Sequence, residues 1–203
     1  MNSIIQPSHP IIRYSTGLLI SMVLFFVLTF SYYSWASNSL ETQIQIRAAY
    51  IYKMAKFINW SIHPQVPLTF CFLNDGSADK QSYSVTKVLS ALETAGKLKL
   101  QQRDINIKII DHDKASQLPE YRLCSLVYFA QGYEPQLTKT QMQQLSKTKL
   151  TIGSNTEFMR QGGLCTLILE KDRLKLYINR SAYDDSKVRI RSRLLALARF
   201  YPK

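Results

Sequence analysis

Four short apolar runs follow one another along the chain with helical patterns between them, and this alternation constrains the fold more than any other feature. The runs are "LTFCFL" (68–73), "INIKII" (105–110), "LCSLVYFA" (123–130) and "KLTIG" (149–153). The runs at 68–73 and 123–130 are typical of strands buried on both faces, and the other two are predicted to be strands. Apolar residues at helical spacing in residues 82–95 and 136–146 predict helices between the strands. The order predicts an α/β domain with a mostly parallel sheet flanked by helices.

The pattern changes toward the carboxyl end of the chain. The segments "GGLCTLIL" (162–169) and "RLKLYIN" (173–179) are separated by the short turn "EKD", so they predict an antiparallel hairpin. The chain then continues with "VRIRSRLLALARFY". Apolar residues at helical spacing in that segment predict a closing helix, and they are Ile190, Leu194, Leu197 and Tyr201.

The segment from Leu40 to Trp60 is predicted to form the first helix. On a helical wheel its narrow polar face carries Gln45, Tyr52, Lys53, Lys56 and Asn59. The wide opposite sector is predicted to be covered, and it contains Ile46, Tyr50, Ile51, Met54, Phe57 and Ile58. Arg47 falls inside that sector, so it must extend to water or find a partner. We interpret the helix as packed against the sheet or across a dimer seam, with a direct partner surface as the alternative.

Residues 1–36 have the composition of an export signal. Arg13 is their only charged residue, and the apolar run "GLLISMVLFFVLTF" follows it. Ser34 and Ala36 are small residues at the positions that a signal peptidase requires. An uncleaved membrane anchor is the alternative, because about 20 uncharged apolar residues can span a bilayer. Both interpretations place a single domain of residues 37–203 outside the cytoplasm.

The chain is basic and has an odd number of cysteines. Its formal net charge is +12, of which Arg13 accounts for one, so residues 37–203 carry +11. A basic exported domain can bind nucleic acid, anionic lipid or an acidic protein surface, but the compartment argues against nucleic acid. Three cysteines, Cys71, Cys124 and Cys165, allow one bridge and one free thiol, or a bridge between chains.

The sequence lacks the residue patterns typical of catalysis, metal binding or cofactor binding, so we expect none of these. His112 lies between two aspartates in "DHD", but successive residues of an extended segment point apart, which favours a solvated turn over a metal or general-base site. The stretch "QGG" (161–163) does not fit a phosphate loop and is interpreted as a turn with positive φ. Cys165 lies within a strand pattern and is interpreted as a buried apolar thiol.

Two arginines provide a candidate anion site. Arg189 and Arg191, with Arg193 beyond them, share one side if their segment is extended, and guanidinium groups suit carboxylate, sulfate or phosphate. A solvent-facing helix entry is the alternative. The pair supports the hypothesis of a module that binds a small anion and serves another sensor or transporter. A hydrolase that uses His112 is a further hypothesis.

Two blocks of the sequence resemble the YfiR-like family of periplasmic proteins. The first block is "RAAYIYKMAKFINW", and its matching residues are Arg47, Ala48, Ala49, Tyr50, Tyr52, Ala55, Lys56, Phe57 and Trp60. The late block combines "FMRQGGL", "RLKLYIN" and "IRSRLLALA", and its matching residues are Phe158, Gly162, Gly163, Asn179, Ser192, Leu194, Leu195 and Ala198. The resemblance covers most of residues 37–203, and the two blocks are specific when taken together.

The resemblance implies a Rossmann-like domain, often a homodimer, that regulates and does not catalyse. Members of the family resemble brakes on membrane-bound diguanylate cyclases. They bind the periplasmic domain of the cyclase and keep cyclic di-GMP, and with it biofilm formation, low. An outer-membrane lipoprotein can sequester the brake. The resemblance therefore implies a periplasmic, cofactor-free repressor of an inner-membrane diguanylate cyclase.

The resemblance also implies roles for particular residues. Cys71 and Cys124 match family cysteines and are expected to form a disulfide, whereas the second family bridge has no partner for Cys165 here. The family's partner face draws on the late hairpin and the segment after it, where this chain has Leu164, Tyr177, Tyr183, Arg189 and Arg191. Family members often carry an acid at the position of Tyr177, so partner pairing is expected to differ.

Overall fold

The computed structural model describes residues 45–74, 85, 89–90, 93, 98–130, 136–171 and 173–202. The expected export signal lies outside these residues. Most of the helix expected at 82–95 also lies outside them, although Val85, Leu89, Ser90 and Glu93 are helical. No helix among the described residues is long and apolar enough to cross a membrane.

The described residues form an eight-stranded sheet and a two-stranded ribbon. The ribbon pairs β1 (Ile58–Asn59) with β9 (Arg189–Ile190). The strands of the large sheet are β2 (Leu68–Asn74), β3 (Lys99–Leu100), β4 (Arg103–Asp111), β5 (Leu126–Tyr128), β6 (Leu150–Gly153), β7 (Cys165–Glu170), β8 (Arg173–Asn179) and β10 (Arg199–Tyr201). Their order across the sheet is β10-β8-β7-β6-β5-β2-β4-β3.

The predicted fold class is confirmed. Strands β4, β2, β5, β6 and β7 are neighbours in that order and all parallel, which is the strand order of a flavodoxin-like doubly-wound sheet. The predicted hairpin is also present, because β7 and β8 pair antiparallel. Strand β10 adds to the outer side of β8 in parallel, with Arg199 beside Tyr177.

Five described helices accompany the strands. They are α1 (residues 45–55), α2 (Lys139–Thr148), α3 (Thr156–Arg160), α4 (Arg180–Asp184) and α5 (Ser192–Leu195). Helix α2 begins with a capping box, in which the Thr138 hydroxyl accepts from the Gln141 amide and the Gln141 side chain accepts from the Thr138 amide. Such reciprocal bonds satisfy two amides that have no partner within the helix.

The prediction of a closing helix is wrong. The segment instead forms β9, the four-residue helix α5 and β10. Ile190 pairs with Ile58 of the ribbon, and Tyr201 lies in the edge strand of the large sheet. Leu197 is 77% exposed, so the helical spacing of apolar residues does not correspond to one buried face. Pairing with distant strands outweighs local helical spacing here.

The first helix ends earlier than predicted. The amides of Lys56 and Phe57 donate to the carbonyls three residues before them, and this tight turn leads directly into β1. Lys53 and Lys56 are exposed, as predicted. Ile46 and Tyr50 are 40% and 38% exposed, so the prediction that the whole apolar sector is covered is wrong. A helix that lies on one side of a sheet buries a narrower stripe.

Apolar side chains pack against both faces of the parallel part of the sheet. Phe70 and Phe72 of β2 belong to the cluster on the α1 side. Cys71 and Leu73, which alternate with them, belong to the cluster on the α2 side. The four consecutive residues 70–73 are therefore all buried, and this explains the apolar run in the sequence.

Candidate partner-binding surface

A disulfide joins two strands of the parallel sheet. Cys71 in β2 and Cys124, which precedes β5, are bonded with their Cα atoms 5.8 Å apart. This is the pairing that the family resemblance implied. Both residues are buried in the α2-side cluster. The Ser125 amide donates to the Thr69 carbonyl at 2.8 Å, so parallel pairing brings the two cysteines together.

The third cysteine is a free thiol in the core. Cys165 is fully buried at the start of β7, which confirms its interpretation as an apolar thiol. Burial raises the pKa of the Cys165 thiol to about 12. The thiol is therefore protonated at neutral pH, and a buried, protonated thiol is unreactive.

The residues of the late family block have structural roles. The Phe158 ring lies so close to the backbone that a Cβ at Gly153 or Gly163 would come within 2.3 or 2.0 Å of ring atoms. Gly162 has φ +100°, which confirms the interpretation of "QGG" as a turn with positive φ. The Asn179 side chain donates to the Gly163 carbonyl at 3.1 Å and to the Met159 carbonyl at 2.8 Å. These contacts join the turn after α3 to the end of β8.

Arg47 of the opening block is buried and not solvent-exposed. It is 2% exposed, and its guanidinium donates to the Leu167 carbonyl in β7 at 3.2 Å. Burial raises the pKa of the Tyr128 phenol, and the positive charge of Arg47 opposes that rise. The arginine thus found a partner inside the domain, which was one of the two outcomes expected from the sequence.

The hairpin exposes one of its two faces. Along β8, Leu174, Leu176 and Ile178 are buried against the α1-side cluster, while Lys175 and Tyr177 on the other side are half-exposed. The Tyr177 hydroxyl donates to Glu170 of β7. Arg199 of β10 donates to Glu170 Oε2 and to the Tyr177 hydroxyl oxygen, both at 3.0 Å. We call the surface formed by Glu170, Lys175, Tyr177 and Arg199 the open hairpin face.

Charge and hydrogen bonding fix the protonation of this face. The hydrogen bond from Tyr177, together with the charge of Arg199, lowers the pKa of the Glu170 carboxyl. Hydrogen bonds to Tyr177 and Glu170, together with electrostatic attraction to both groups, raise the pKa of Arg199. Glu170 is therefore ionised at neutral pH, and the Tyr177 ring is held between two charged side chains. The face presents an ordered tyrosine and an ordered arginine, residue types that are enriched at protein interfaces.

The other predicted partner residues lie elsewhere. Leu164 is 0% exposed, so its side chain belongs to the core and not to a surface that can contact a partner. Tyr183 is half-buried and packs on the α1-side cluster, the side of the sheet opposite Tyr177. Arg189 and Arg191 are both exposed on an extended segment, so they share one side as the sequence suggested, whereas Arg193 lies in helix α5.

Both arginines use part of their hydrogen-bonding capacity within the domain. Arg189 donates to the Ser186 carbonyl, and Arg191 Nε donates to Asn59 Oδ1 at 3.0 Å. Of the predicted partner residues, only Tyr177 lies on the open hairpin face, and the two arginines lie at the β1–β9 ribbon.

Sequence reasoning missed Glu170 and Arg199. Alternation along the hairpin could have placed Glu170 on the same side as Tyr177, because opposite pairs such as Thr166 and Tyr177 share a face. Glu170 supplies a carboxylate beside Tyr177. Arg199 could not be placed, because its segment was predicted to be helical.

The candidate catalytic residue is only partly described. His112 begins a short 3₁₀ helix, His112–Lys114, and its side chain lies outside the described parts of the structure. Across the residues that the structure does describe, no group of three or more His, Cys, Asp or Glu side chains could hold a metal ion.

The fold and these contacts define an α/β domain with a parallel core, an antiparallel hairpin and a buried disulfide. The sequence profile of the YfiR/HmsC-like family matches residues 44–199. The chain belongs to this family. A search of curated proteins finds no match to the chain.

Proposed function

We propose that this protein acts in the periplasm as a brake on an inner-membrane diguanylate cyclase. It binds the periplasmic domain of the cyclase and thereby limits cyclic di-GMP and biofilm formation. The proposal includes export by the amino-terminal signal, a homodimeric state, sequestration by an outer-membrane lipoprotein, and the absence of enzymatic activity. Membership of the YfiR/HmsC-like family over residues 44–199 is the observation that carries it.

The open hairpin face supports a protein-binding role. Tyrosine and arginine are the residues that most often dominate binding energy at interfaces. Here both are ordered before binding, because Glu170 accepts hydrogen bonds from Tyr177 and Arg199. A side chain that is already fixed loses less conformational entropy when a partner binds. We propose that this face contacts the cyclase, with Arg189 and Arg191 on the ribbon adding positive charge.

The proposal is tested by measuring cellular cyclic di-GMP in the native host. We expect deletion of the gene to raise cyclic di-GMP, and periplasmic expression of residues 37–203 to lower it again. The same fragment expressed without an export signal serves as the control and should have no effect. Unchanged cyclic di-GMP after deletion, with the protein shown to be present in the parent strain, would contradict the proposal.

A further inference from the structure

A cavity of about 250 Å³ lies at the amino ends of β5 and β6, next to the β1–β9 ribbon. The chain after β1 forms one wall with Trp60 and Ile62, and Val188, just before β9, closes another side. The cavity is at the amino edge of the parallel sheet. It is therefore distinct from the crevice at the carboxyl edge, where doubly-wound sheets usually bind ligands.

Two lysines give the cavity a positive charge. Lys149 and Lys187 both line it, and its lining residues include no aspartate or glutamate. Neither lysine makes an ion pair within the described part of the chain. Lys149 Nζ donates to the Arg122 carbonyl at 2.9 Å, which leaves two of its three N–H groups for another acceptor.

The surroundings of Lys149 favour an anion only if both lysines take part. Burial lowers the pKa of Lys149, because part of its hydration is lost. A bound anion would restore the lost stabilisation of this charge. However, α2 ends at Thr148, and the carbonyl end of a helix carries partial negative charge. The second positive charge, from Lys187, is needed to outweigh it.

The apolar wall indicates what kind of anion fits. Trp60 Nε1 donates to the Ala55 carbonyl at 3.0 Å, and the indole packs 6.5 Å from the Phe70 ring centroid. The ring is thus fixed, and its polar atom is already bonded. A cavity of about 150 Å³ can hold benzene, so this larger one has room for a ring-sized apolar body and an acidic group.

We propose that this cavity binds a small organic carboxylate. The carboxylate is held by Lys149 and Lys187, and the apolar body lies against Trp60, Ile62 and Val188. The hydroxyls of Ser61 and Thr148, which also line the cavity, provide further hydrogen-bonding groups. This inference does not depend on the proposed control of a cyclase.

The test is an NMR titration of the purified domain, residues 37–203, with benzoate, benzamide and inorganic phosphate. We expect benzoate to shift the amide resonances of Ser61, Ser125 and Val188 in a saturable way. Benzamide has the same shape without the charge, and its affinity should be lower than that of benzoate by a factor of about ten or more. Phosphate has the charge without the apolar body and should also bind more weakly. Equal binding of benzoate and benzamide, or tighter binding of phosphate, would overturn the proposal.

Variants locate the site. The double variant Lys149→Met, Lys187→Met should lose the benzoate response, and the single variant Lys187→Met, at an exposed position, should weaken it even if the double variant folds poorly. Lys53→Met with Lys56→Met removes two exposed lysines from α1 and is the matched control, with an unchanged response expected. Full benzoate binding by Lys187→Met would show that the carboxylate is held elsewhere.

Discussion

The two halves of the sheet are built differently. In the parallel half, β2 and β5 bury the side chains on both faces and are joined by the Cys71–Cys124 disulfide. In the antiparallel half, β8 buries every second residue and exposes Lys175 and Tyr177 between them. A strand covered on both faces has no surface to offer a partner. The comparison therefore assigns stability to the parallel half, whereas the open hairpin face is the surface that we propose for partner recognition.

The largest effect that separates the halves is expected from the disulfide. The bridge spans 53 residues of sequence, and closing a loop of that length stabilises the folded state by about 4 kcal/mol. Reduction should lower the free energy of unfolding by this amount in urea denaturation. The Cys165→Ala variant keeps the bridge and is expected to show the same loss on reduction. Three titratable thiols in the wild-type protein show that the bridge is reduced. An unchanged urea midpoint in such a sample would contradict this assignment.

The next largest loss of stability is expected at the junction between the two halves of the sheet. Gly163→Ala places a methyl group against the Phe158 ring, and such overpacking costs about 1–3 kcal/mol. In a Phe158→Leu background the same substitution should cost clearly less, because the ring it collides with is gone. Urea denaturation of the four proteins of this double-mutant cycle measures the coupling. Equal costs in both backgrounds would show that the ring is not the source of the effect.

A substitution on the open hairpin face should barely change stability. Tyr177→Phe removes the hydroxyl that donates to Glu170 and keeps the ring. Surface substitutions of this kind usually change the free energy of unfolding by no more than about 0.5 kcal/mol. Thermal denaturation at neutral pH checks this. A loss comparable to that of Gly163→Ala would mean that Tyr177 is a packing residue, and the distinction between the halves would fail.

The smallest effect concerns the pH dependence of the same face. The pKa of Glu170 is lowered in the folded protein by Tyr177 and Arg199. A lowered folded pKa contributes stability above the unfolded pKa, and this contribution is lost as the pH falls through the folded value. The melting temperature of the wild-type protein at pH 7 should therefore be higher than that of Glu170→Gln. This difference in melting temperature should disappear at acidic pH. A difference that persists unchanged at low pH would contradict the ionised state assigned to Glu170.

The parallel half was predictable from the sequence because its information is local. The continuous apolar run of β2 identified a doubly buried strand, and β2, β4 and β6 lie within a few residues of their predicted positions, although β4 is buried at only some of its positions. The hairpin was predictable for the same reason, since two apolar segments flank a short turn. The family resemblance, and not spacing, supplied the Cys71–Cys124 pairing.

The rest depended on contacts between distant segments. The spacing of Ile190, Leu194 and Leu197 fits a helix, but Ile190 is fixed by pairing with Ile58, more than a hundred residues earlier. The position of Arg199 depends on β10 joining β8. Local periodicity contains neither fact, so the contacts of Arg199 with Glu170 and Tyr177 could not be predicted from the sequence.

The central claim is that the open hairpin face, and not the α1 surface, acts on the partner. It is tested most directly by measuring cellular cyclic di-GMP in a deletion strain that expresses one of two double variants. The hairpin variant combines Tyr177→Ala with Arg199→Ala, and the α1 variant combines Lys53→Glu with Lys56→Glu. With equal protein levels, we expect the α1 variant to lower cyclic di-GMP as the wild-type protein does, and the hairpin variant to leave it high. A hairpin variant that lowers cyclic di-GMP as fully as the wild-type protein would contradict the account.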